Sequence, residues 1–291
     1  MGEVILQVLG TAQDAGLPQP NCYCANCTKA MDDPAFKRQA ASLGIVFPDK
    51  NEWHLIDASP DFKEQIVMLQ RAHGLEGRVM ESIFLTHAHI GHYPGLIFLG
   101  KEAMNTKNVP VFTGPMMKHV LETHAPWSQL TDLGNIQLQT IEHGISTRLE
   151  ESVDVEPVKV PHRNEFSETF GFWIKGPNKN VLYIPDIDRW DEWELDVVEV
   201  CQQADICLLD ATFFSDYDLA DSGGGDRDLN EIPHPFITDT MERLKGITDT
   251  CAIYFTHFNH SNPALSTTSE ERKFIERNGF HIAYDGMTFV L

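Results

Sequence analysis

The segment Thr86-His87-Ala88-His89-Ile90-Gly91-His92 holds three histidines within six residues. The apolar run 82–85 before it predicts a buried strand, and 93–99 after it predicts the start of a helix. Neutral imidazole is a common metal ligand near neutral pH. The side chains of His-x-His on an extended segment point the same way, because strand side chains alternate. The pattern favours a metal site for a cation such as Zn²⁺ over a solvated histidine-rich loop.

A second cluster lies at Cys22-Tyr23-Cys24-Ala25-Asn26-Cys27. Three thiols at C-x-C-x-x-C spacing can reach one tetrahedral ion, and thiolates favour zinc. The local set lacks a fourth ligand, which must come from elsewhere in the chain. The alternatives are three reduced thiols or a redox pair. The other cysteines, at 201, 207 and 251, stand among apolar residues, so we expect core thiols rather than a disulfide framework.

The composition limits the kinds of partner. The chain has 291 residues, 42% of them hydrophobic, so it can build a sizeable core. Its 43 acidic residues against 22 Lys and Arg give a net charge of −21, which repels nucleic acid and anionic membranes. We find no secretory signal pattern and no apolar run of bilayer length. We therefore expect a cytoplasmic protein with a small-molecule substrate and no nucleic-acid or membrane partner, and we leave a homodimer open.

Residues that can bind metal or protons follow short apolar strands at four places, namely His87, Asp186, Asp210 and His257. Ligands at strand ends along one edge of a sheet can converge on one site. No linker or change in composition divides the chain. We therefore expect a single α+β domain over residues 1–291, in which strands dominate, with a Cys-rich zinc-binding loop at 21–28.

Capping and turn signals predict further elements. Ser59 as N-cap and Pro60 at the first helical position predict a helix to about Arg71, with Val67 on its apolar face. Other predicted elements are a helix over 191–203, an acidic, glycine-rich lid over 216–230, and a closing hairpin of 280–284 with 287–291.

These residues together resemble the metallo-β-lactamase superfamily over essentially the whole chain, since the histidine segment matches its H-x-H-x-D-H loop in all but one position. The resemblance implies an αββα sandwich of two mixed β-sheets flanked by helices, with metal at the sheet edges. Two branches are similar. One is the PQQ-biosynthesis protein B (PqqB-like) group, matched at 10–27, 57–61, 259–263 and 283–288. The other is the cyclic-phosphate phosphodiesterase of phosphonate utilisation, related to tRNase Z, matched at C-x-C-x-x-C and at 256–260.

The resemblance also implies which side chains bind each ion. The active-site ligands would be His87, His89 and His162 for a first ion and His92, Asp186 and His257 for a second, with Asp186 bridging the two. The fourth ligand of the cysteine zinc would be His260. We expect zinc at the cysteines, and one or two ions of zinc, manganese or iron at the active site.

Glycine at position 91 departs from the superfamily loop, which usually has a metal-binding aspartate there. Glycine offers no ligand, so the second ion keeps three protein ligands, and this ligand set carries one negative charge fewer. We expect weak or partial occupancy of that position, or a water molecule in the gap. A mononuclear site is the alternative.

The phosphodiesterase branch also implies a catalytic pair. By this resemblance Asp210 orients His234, which protonates the leaving oxygen; a carboxylate partner raises an imidazole's pKa and makes it an acid near pH 7. The alternative for His234 is an ordinary loop histidine. Glu165 and Glu168 either support metal ligands or face solvent. The histidines without motif support are expected to be structural or solvated: His54, His73, His119, His124, His143 and His281.

Three functions follow as hypotheses. The first is a metal-dependent hydrolase that uses a metal-bound hydroxide, with a small phosphodiester or related ester as substrate. The second is a PqqB-like enzyme of coenzyme PQQ biosynthesis with iron-dependent oxidative chemistry, since zinc has no redox chemistry. The third is a non-catalytic metal-binding protein, supported by Gly91 and the acidic segment.

Overall fold

Two seven-stranded β-sheets form the centre of the computed structural model, which describes residues 2–150, 152–216 and 234–291. The strands of the first sheet, in spatial order, are β14 (Thr288–Val290), β1 (Ile5–Gly10), β2 (Ser42–Phe47), β3 (Glu52–Ile56), β4 (Ser82–Phe84), β5 (Val109–Thr113) and β6 (Ile136–Thr140). Those of the second are β13 (His281–Ile282), β12 (Ala252–Thr256), β11 (Ile206–Asp210), β10 (Asn180–Ile184), β9 (Thr169–Lys175), β8 (Val153–Val160) and β7 (Thr147–Leu149). Both sheets mix parallel and antiparallel pairs.

Helices cover the outer faces of the two sheets. Within the described residues they are α1 (Ala25–Asp32), α2 (Phe62–His73), α3 (Pro115–Thr123), α4 (Ser128–Asp132), α5 (Val197–Cys201), α6 (Ile237–Leu244) and α7 (Glu270–Arg277). None of them is long and apolar enough to cross a membrane.

Successive side chains of each strand point to opposite faces of its sheet, and this divides the core into three apolar layers. In β3, Ile56 faces the layer between the sheets, whereas Trp53 and Leu55 pack outward against α2. In β12, Ile253 and Phe255 likewise pack outward against the helices of the second sheet. Strands buried on both faces explain the continuous apolar runs in the sequence. The layers form the αββα sandwich expected from the sequence, and that prediction is confirmed.

One edge of the sandwich collects the polar strand ends. Strands β3 to β6 run parallel, and so do β10 to β12. Strand β8 is antiparallel to β9, which is antiparallel to β10, so β8 ends at the same edge as β10. A backbone hydrogen bond of 3.0 Å from Phe170 N to Thr86 O joins the two sheets there. The loops that follow β4, β8, β10, β11 and β12 therefore meet.

The predicted C-terminal hairpin is wrong. Strand β13 pairs with β12 in the second sheet, and β14 pairs with β1 in the first. The chain crosses between the sheets at 283–287, where Gly286 N donates to Val8 O and the half-buried Asp285 carboxylate accepts from Thr11 Oγ1 and Gln39 N. In this way each of the two sheets gains an edge strand.

Three helix predictions also need correction. Helix α2 begins at Phe62, because Ser59 Oγ accepts from Asp61 N and forms a turn before the helix, and Val67 is exposed. The helix expected over 191–203 is reduced to α5, whose first amides are capped by Asp196. The helix expected after the histidine segment is a 3₁₀ segment over Pro94–Leu99. The predicted lid lies, apart from Asp216, outside the described residues.

A buried histidine in β3 gives a pH-dependent prediction. His54 Nδ1 lies 2.8 Å from Ser82 Oγ, and burial lowers its pKa to about 4. The unfolded chain takes up this proton near pH 6.5, so the folded state loses stability as the pH falls from 6.5 to 4, by about 3 kcal/mol. Urea unfolding measured at pH 7 and at pH 4 should therefore show that the free energy of unfolding falls more for the wild type than for His54→Gln. Equal losses in the two proteins would contradict this.

Candidate metal centres and active site

The cysteine cluster has the dimensions of a tetrahedral zinc site. His260 Nδ1 lies 3.5 Å from Cys22 Sγ, 3.6 Å from Cys24 Sγ and 3.5 Å from Cys27 Sγ. At Zn–S and Zn–N distances of about 2.3 and 2.0–2.1 Å, the S···N edge of a tetrahedron is about 3.5–3.6 Å. The four ligand atoms all lie within 4.8 Å of one another. The structure thus brings together the predicted cysteines and His260, 233 residues apart in sequence at the nearest.

Backbone groups support this cluster. Gln19 N donates to Cys27 Sγ, and Asn26 Nδ2 donates to the carbonyls of His260 and Asn262, which fixes the loop that carries the histidine. Burial raises the pKa of the Cys27 thiol to about 12, so this thiol keeps its proton at pH 7 unless a cation replaces it. Cation binding here therefore releases protons.

Three imidazoles form a compact group at the sheet edge. His89 Nδ1 lies 2.9 Å from His87 Nε2 and 3.1 Å from His162 Nε2. With metal–nitrogen distances of about 2.0–2.1 Å, these separations correspond to ligand–metal–ligand angles of about 90–100°. His87 and His162 are buried, and Asp188 Oδ1 accepts from His162 Nδ1 at 2.8 Å. This contact engages Nδ1 of His162, so Nε2 is the atom that faces the cluster.

Asp186 lies at the centre of the cluster. Its Oδ2 is 2.8 Å from His92 Nε2, 3.1 Å from His257 Nε2 and 3.7 Å from His87 Nε2. Its Oδ1 is 3.7 Å from His162 Nε2. Burial alone would raise the pKa of Asp186, but the surrounding histidines, His257 first, hold it well below its usual range. One carboxylate thus contacts both halves of the predicted ligand set.

The tautomers of the remaining two histidines follow from their partners. Asp57 Oδ2 lies 2.7 Å from His92 Nδ1 and accepts a hydrogen bond from it. Thr212 Oγ1 donates its one proton to Asp210 Oδ1 at 2.8 Å, so at 3.2 Å it accepts from His257 Nδ1. In both histidines Nδ1 is held by its partner, and Nε2 is the atom that faces Asp186, as in metal-ligating histidines.

These atoms fit a dication. Among the described residues, His92 Nε2, His257 Nε2 and Asp186 Oδ2 are buried without a hydrogen-bond partner, despite their short separations. An unsatisfied buried polar atom costs about 1–3 kcal/mol, and an ion bound by all three would remove that cost. The carboxylates Asp57 and Asp186 outweigh burial and raise the pKa of His92 well above its usual value, so the site attracts positive charge. The arrangement is that of a metal-binding cluster, while the role of each ligand stays a prediction.

The predicted catalytic pair lies against this cluster. His234 Nδ1 is 2.7 Å from Asp210 Oδ2 and 3.8 Å from Asp186 Oδ1. Burial lowers the pKa of His234, but the Asp210 carboxylate outweighs burial and raises it to about 9. The imidazole therefore carries a proton at neutral pH, and its Nε2–H is not used by Asp210.

Sequence reasoning missed two supporting residues and misplaced one. Asp188 and Thr212 orient His162 and His257; both follow strand ends, which is the signal that could have identified them. Glu165 Oε2 approaches His89 Nε2 at 3.4 Å from an exposed position. Glu168 accepts instead from Met116 N in the first turn of α3, so it supports a helix and not a metal ligand.

The αββα sandwich and the histidine–aspartate cluster at its edge together place this chain in a class of metal-binding proteins. A comparison with known protein families identifies that class. Residues 52–258 match the family described as "Beta-lactamase superfamily domain". This match spans more than half of the chain, so the chain belongs to the beta-lactamase superfamily.

Individual relatives and solved structures extend along the full length. Coenzyme PQQ synthesis protein B of Methylobacterium sp. (strain 4-46) is 28% identical, over 98% of this chain and 99% of that protein. The crystal structure of Zn²⁺-bound PqqB from Methylobacterium extorquens matches with a TM-score of 0.82 and 25% identity, over 99% of this chain and 100% of that chain. A diphosphatase from the PhnP family matches in fold, with a TM-score of 0.71 and 22% identity, over 99% and 97% of the two chains. The resemblance predicted from the sequence is confirmed.

Proposed function

We propose that this chain is a metal-dependent hydrolase of small phosphodiesters or related esters. The observation that carries the proposal is the buried Asp210–His234 pair, which places a protonated imidazole 3.8 Å from the carboxylate at the centre of the metal cluster. When a dication is bound, the cluster supplies Lewis acidity and lowers the pKa of a water molecule. A net charge of −21 disfavours polyanionic substrates, which agrees with a small ester as the substrate.

The chain's own residues have distinct tasks in this proposal. Asp210 holds the Nδ1 proton of His234, so the protonated ring donates from Nε2 to the leaving oxygen. Thr212 fixes Asp210 and His257 in one hydrogen-bond network, which couples the orientation of the acid to that of a ligand. Asp57, Asp188 and Thr212 keep the proton of each partner histidine on Nδ1, away from the cluster.

Replacing the acid should matter most when the leaving group is poor. We expect His234→Gln to lose about 10²–10⁴ in turnover of a phosphodiester with an alkyl leaving group. The loss should be much smaller for bis(4-nitrophenyl) phosphate, whose leaving group departs without a proton. The wild-type rate should also fall as the pH rises through a value at or below about 9, because His234 then loses its proton and a bound dication can only lower that pKa. His119→Gln, at an exposed position of α3, is the matched control.

Equal losses on both substrates would contradict the role of His234 as an acid. A wild type that hydrolyses neither phosphodiesters nor carboxylic esters with zinc, manganese or iron would contradict the proposed function itself.

The full-length match to PQQ synthesis protein B supports a second candidate, an oxidative enzyme of coenzyme PQQ biosynthesis. This role requires a redox-active ion such as iron, because zinc has no redox chemistry. Metal analysis after anaerobic purification discriminates between the two candidates. Iron in the histidine–aspartate cluster supports the oxidative role, whereas full hydrolytic activity with zinc alone excludes it.

A further inference from the structure

The space beside position 91 is filled by a carboxylate from a distant part of the chain. A Cβ atom added to Gly91 would lie 2.7 Å from Asp14 Oδ1, 2.8 Å from Asp14 Cα and 3.2 Å from Asp14 N. Cβ atoms in proteins essentially never lie within 3.0 Å of another heavy atom, so the distances to Asp14 Oδ1 and Asp14 Cα exclude a side chain at position 91 unless Asp14 moves. Gly91 does not have a positive φ, so the glycine is required by this close approach and not by its backbone conformation.

Hydrogen bonds hold the loop that carries Asp14 against the residues that follow His257. The loop after β1 is bound to the residues that follow His257: Phe258 N donates to Thr11 O, and Gln13 N donates to Phe258 O at 2.9 Å. Asn259 Nδ2 also donates to Gln13 Oε1 at 2.8 Å. On the other side, Gly91 immediately precedes His92. Asp14 therefore contacts the residue before His92, and its loop is bound to the residue after His257.

The Asp14 carboxylate is half-buried and has no hydrogen-bond or ion-pair partner among the described residues. Its φ of +27° is in the left-handed region, where a residue other than glycine is strained. Such strain is found where the surroundings hold a residue for function. The second metal position itself has two imidazoles and one shared carboxylate, and a dication with open positions accepts a further oxygen.

We propose that Asp14 supplies the carboxylate that position 91 lacks and binds the second metal ion after a rotation of its side chain. The inference rests on the metal-binding cluster of the proposed function and concerns the second ion alone. It accounts for glycine at 91, for the strained backbone at 14 and for the attachment of the 11–14 loop to the residues after His257.

Manganese binding tests this proposal without reference to activity. Mn²⁺ prefers nitrogen and oxygen ligands to thiolates, so it reports on the histidine–aspartate cluster. Titration of the full-length chain followed by electron paramagnetic resonance should show two exchange-coupled ions in the wild type. Asp14→Asn should weaken the second ion at least about 10-fold and leave the spectrum of an isolated Mn²⁺.

Asp32→Asn, at an exposed position of α1, is the matched control and should bind both ions as the wild type does. Unchanged affinity and coupling in Asp14→Asn would overturn the proposal, and so would a wild type that binds a single ion in the cluster. A wild type that binds two ions, loses one in Asp14→Asn and hydrolyses nothing would support the role of Asp14 and overturn the hydrolase instead.

Discussion

Asp186→Asn should abolish stable metal binding at the histidine–aspartate cluster. Asp186 contacts ligand nitrogens on both halves of the cluster, at distances from 2.8 to 3.7 Å, and is 3% exposed. Asparagine has nearly the same shape but no charge, so the ions lose the carboxylate that both are expected to share. We expect affinity to fall by more than the factor of about 10–100 typical of residues that only orient a ligand. Hydrolytic turnover should fall with occupancy.

A graded series of aspartates provides the controls for this experiment. Asp188→Asn removes the partner of His162 Nδ1 but no expected ligand, so its loss of affinity should be intermediate, about 10–100-fold. Asp191→Asn changes an exposed aspartate paired with Arg243 and should bind metal as the wild type does. Isothermal titration of the metal-free proteins measures all three. Equal affinities for Asp186→Asn and Asp191→Asn would show that Asp186 is not a ligand.

The double variant Cys24→Ser, Cys27→Ser should lose one zinc per chain and much of its thermal stability. The cluster joins the loop before α1 to the loop after β12 through His260. An ion that binds only the folded state contributes about 4 kcal/mol when its free concentration is a thousand times Kd. For a chain of this size that corresponds to roughly 8–16 °C in Tm.

Calorimetry with and without a chelator separates this effect from packing. A chelator empties both metal centres, so in its presence the wild type and the double variant should have nearly the same Tm, whereas without it the wild type should be the more stable. Cys251→Ala is the control, because Cys251 is a buried thiol whose Sγ lies 3.4 Å from Cys207 Sγ, outside the cluster. It should retain its zinc, and its free energy of unfolding should fall by only about 1 kcal/mol, the cost of a small cavity. A double variant that keeps the wild-type zinc content would contradict the zinc site.

The sequence predicted those parts of the fold that depend on local patterns. The strand before His87 and the strands before Asp186, Asp210 and His257 are short apolar runs that end in a polar residue, so both the element and the candidate site residue at its end are visible in a single segment. Superfamily resemblance then supplied the pairing of His260 with the cysteines, which spacing alone left open.

The errors occurred where long-range contacts compete with local signals. Asp285-Gly286 is a strong turn signal, but the adjacent strands complete two different sheets, and β14 finds its partner in β1 at the other end of the chain. Asp14 and Asp188 show no motif, because their positions depend on loops that only the folded chain brings together. Residues whose place depends on such loops are therefore identified by the structure and not by the pattern.

Anomalous diffraction at the zinc, iron and manganese edges, from crystals of protein purified without added metal, tests the central claim most directly. We predict one zinc peak among Cys22, Cys24, Cys27 and His260, and at least one separate peak beside Asp186. A peak at the cysteines alone, in protein that hydrolyses no ester, would contradict it. The histidine–aspartate cluster would then hold no metal, and a non-catalytic role would replace the hydrolase.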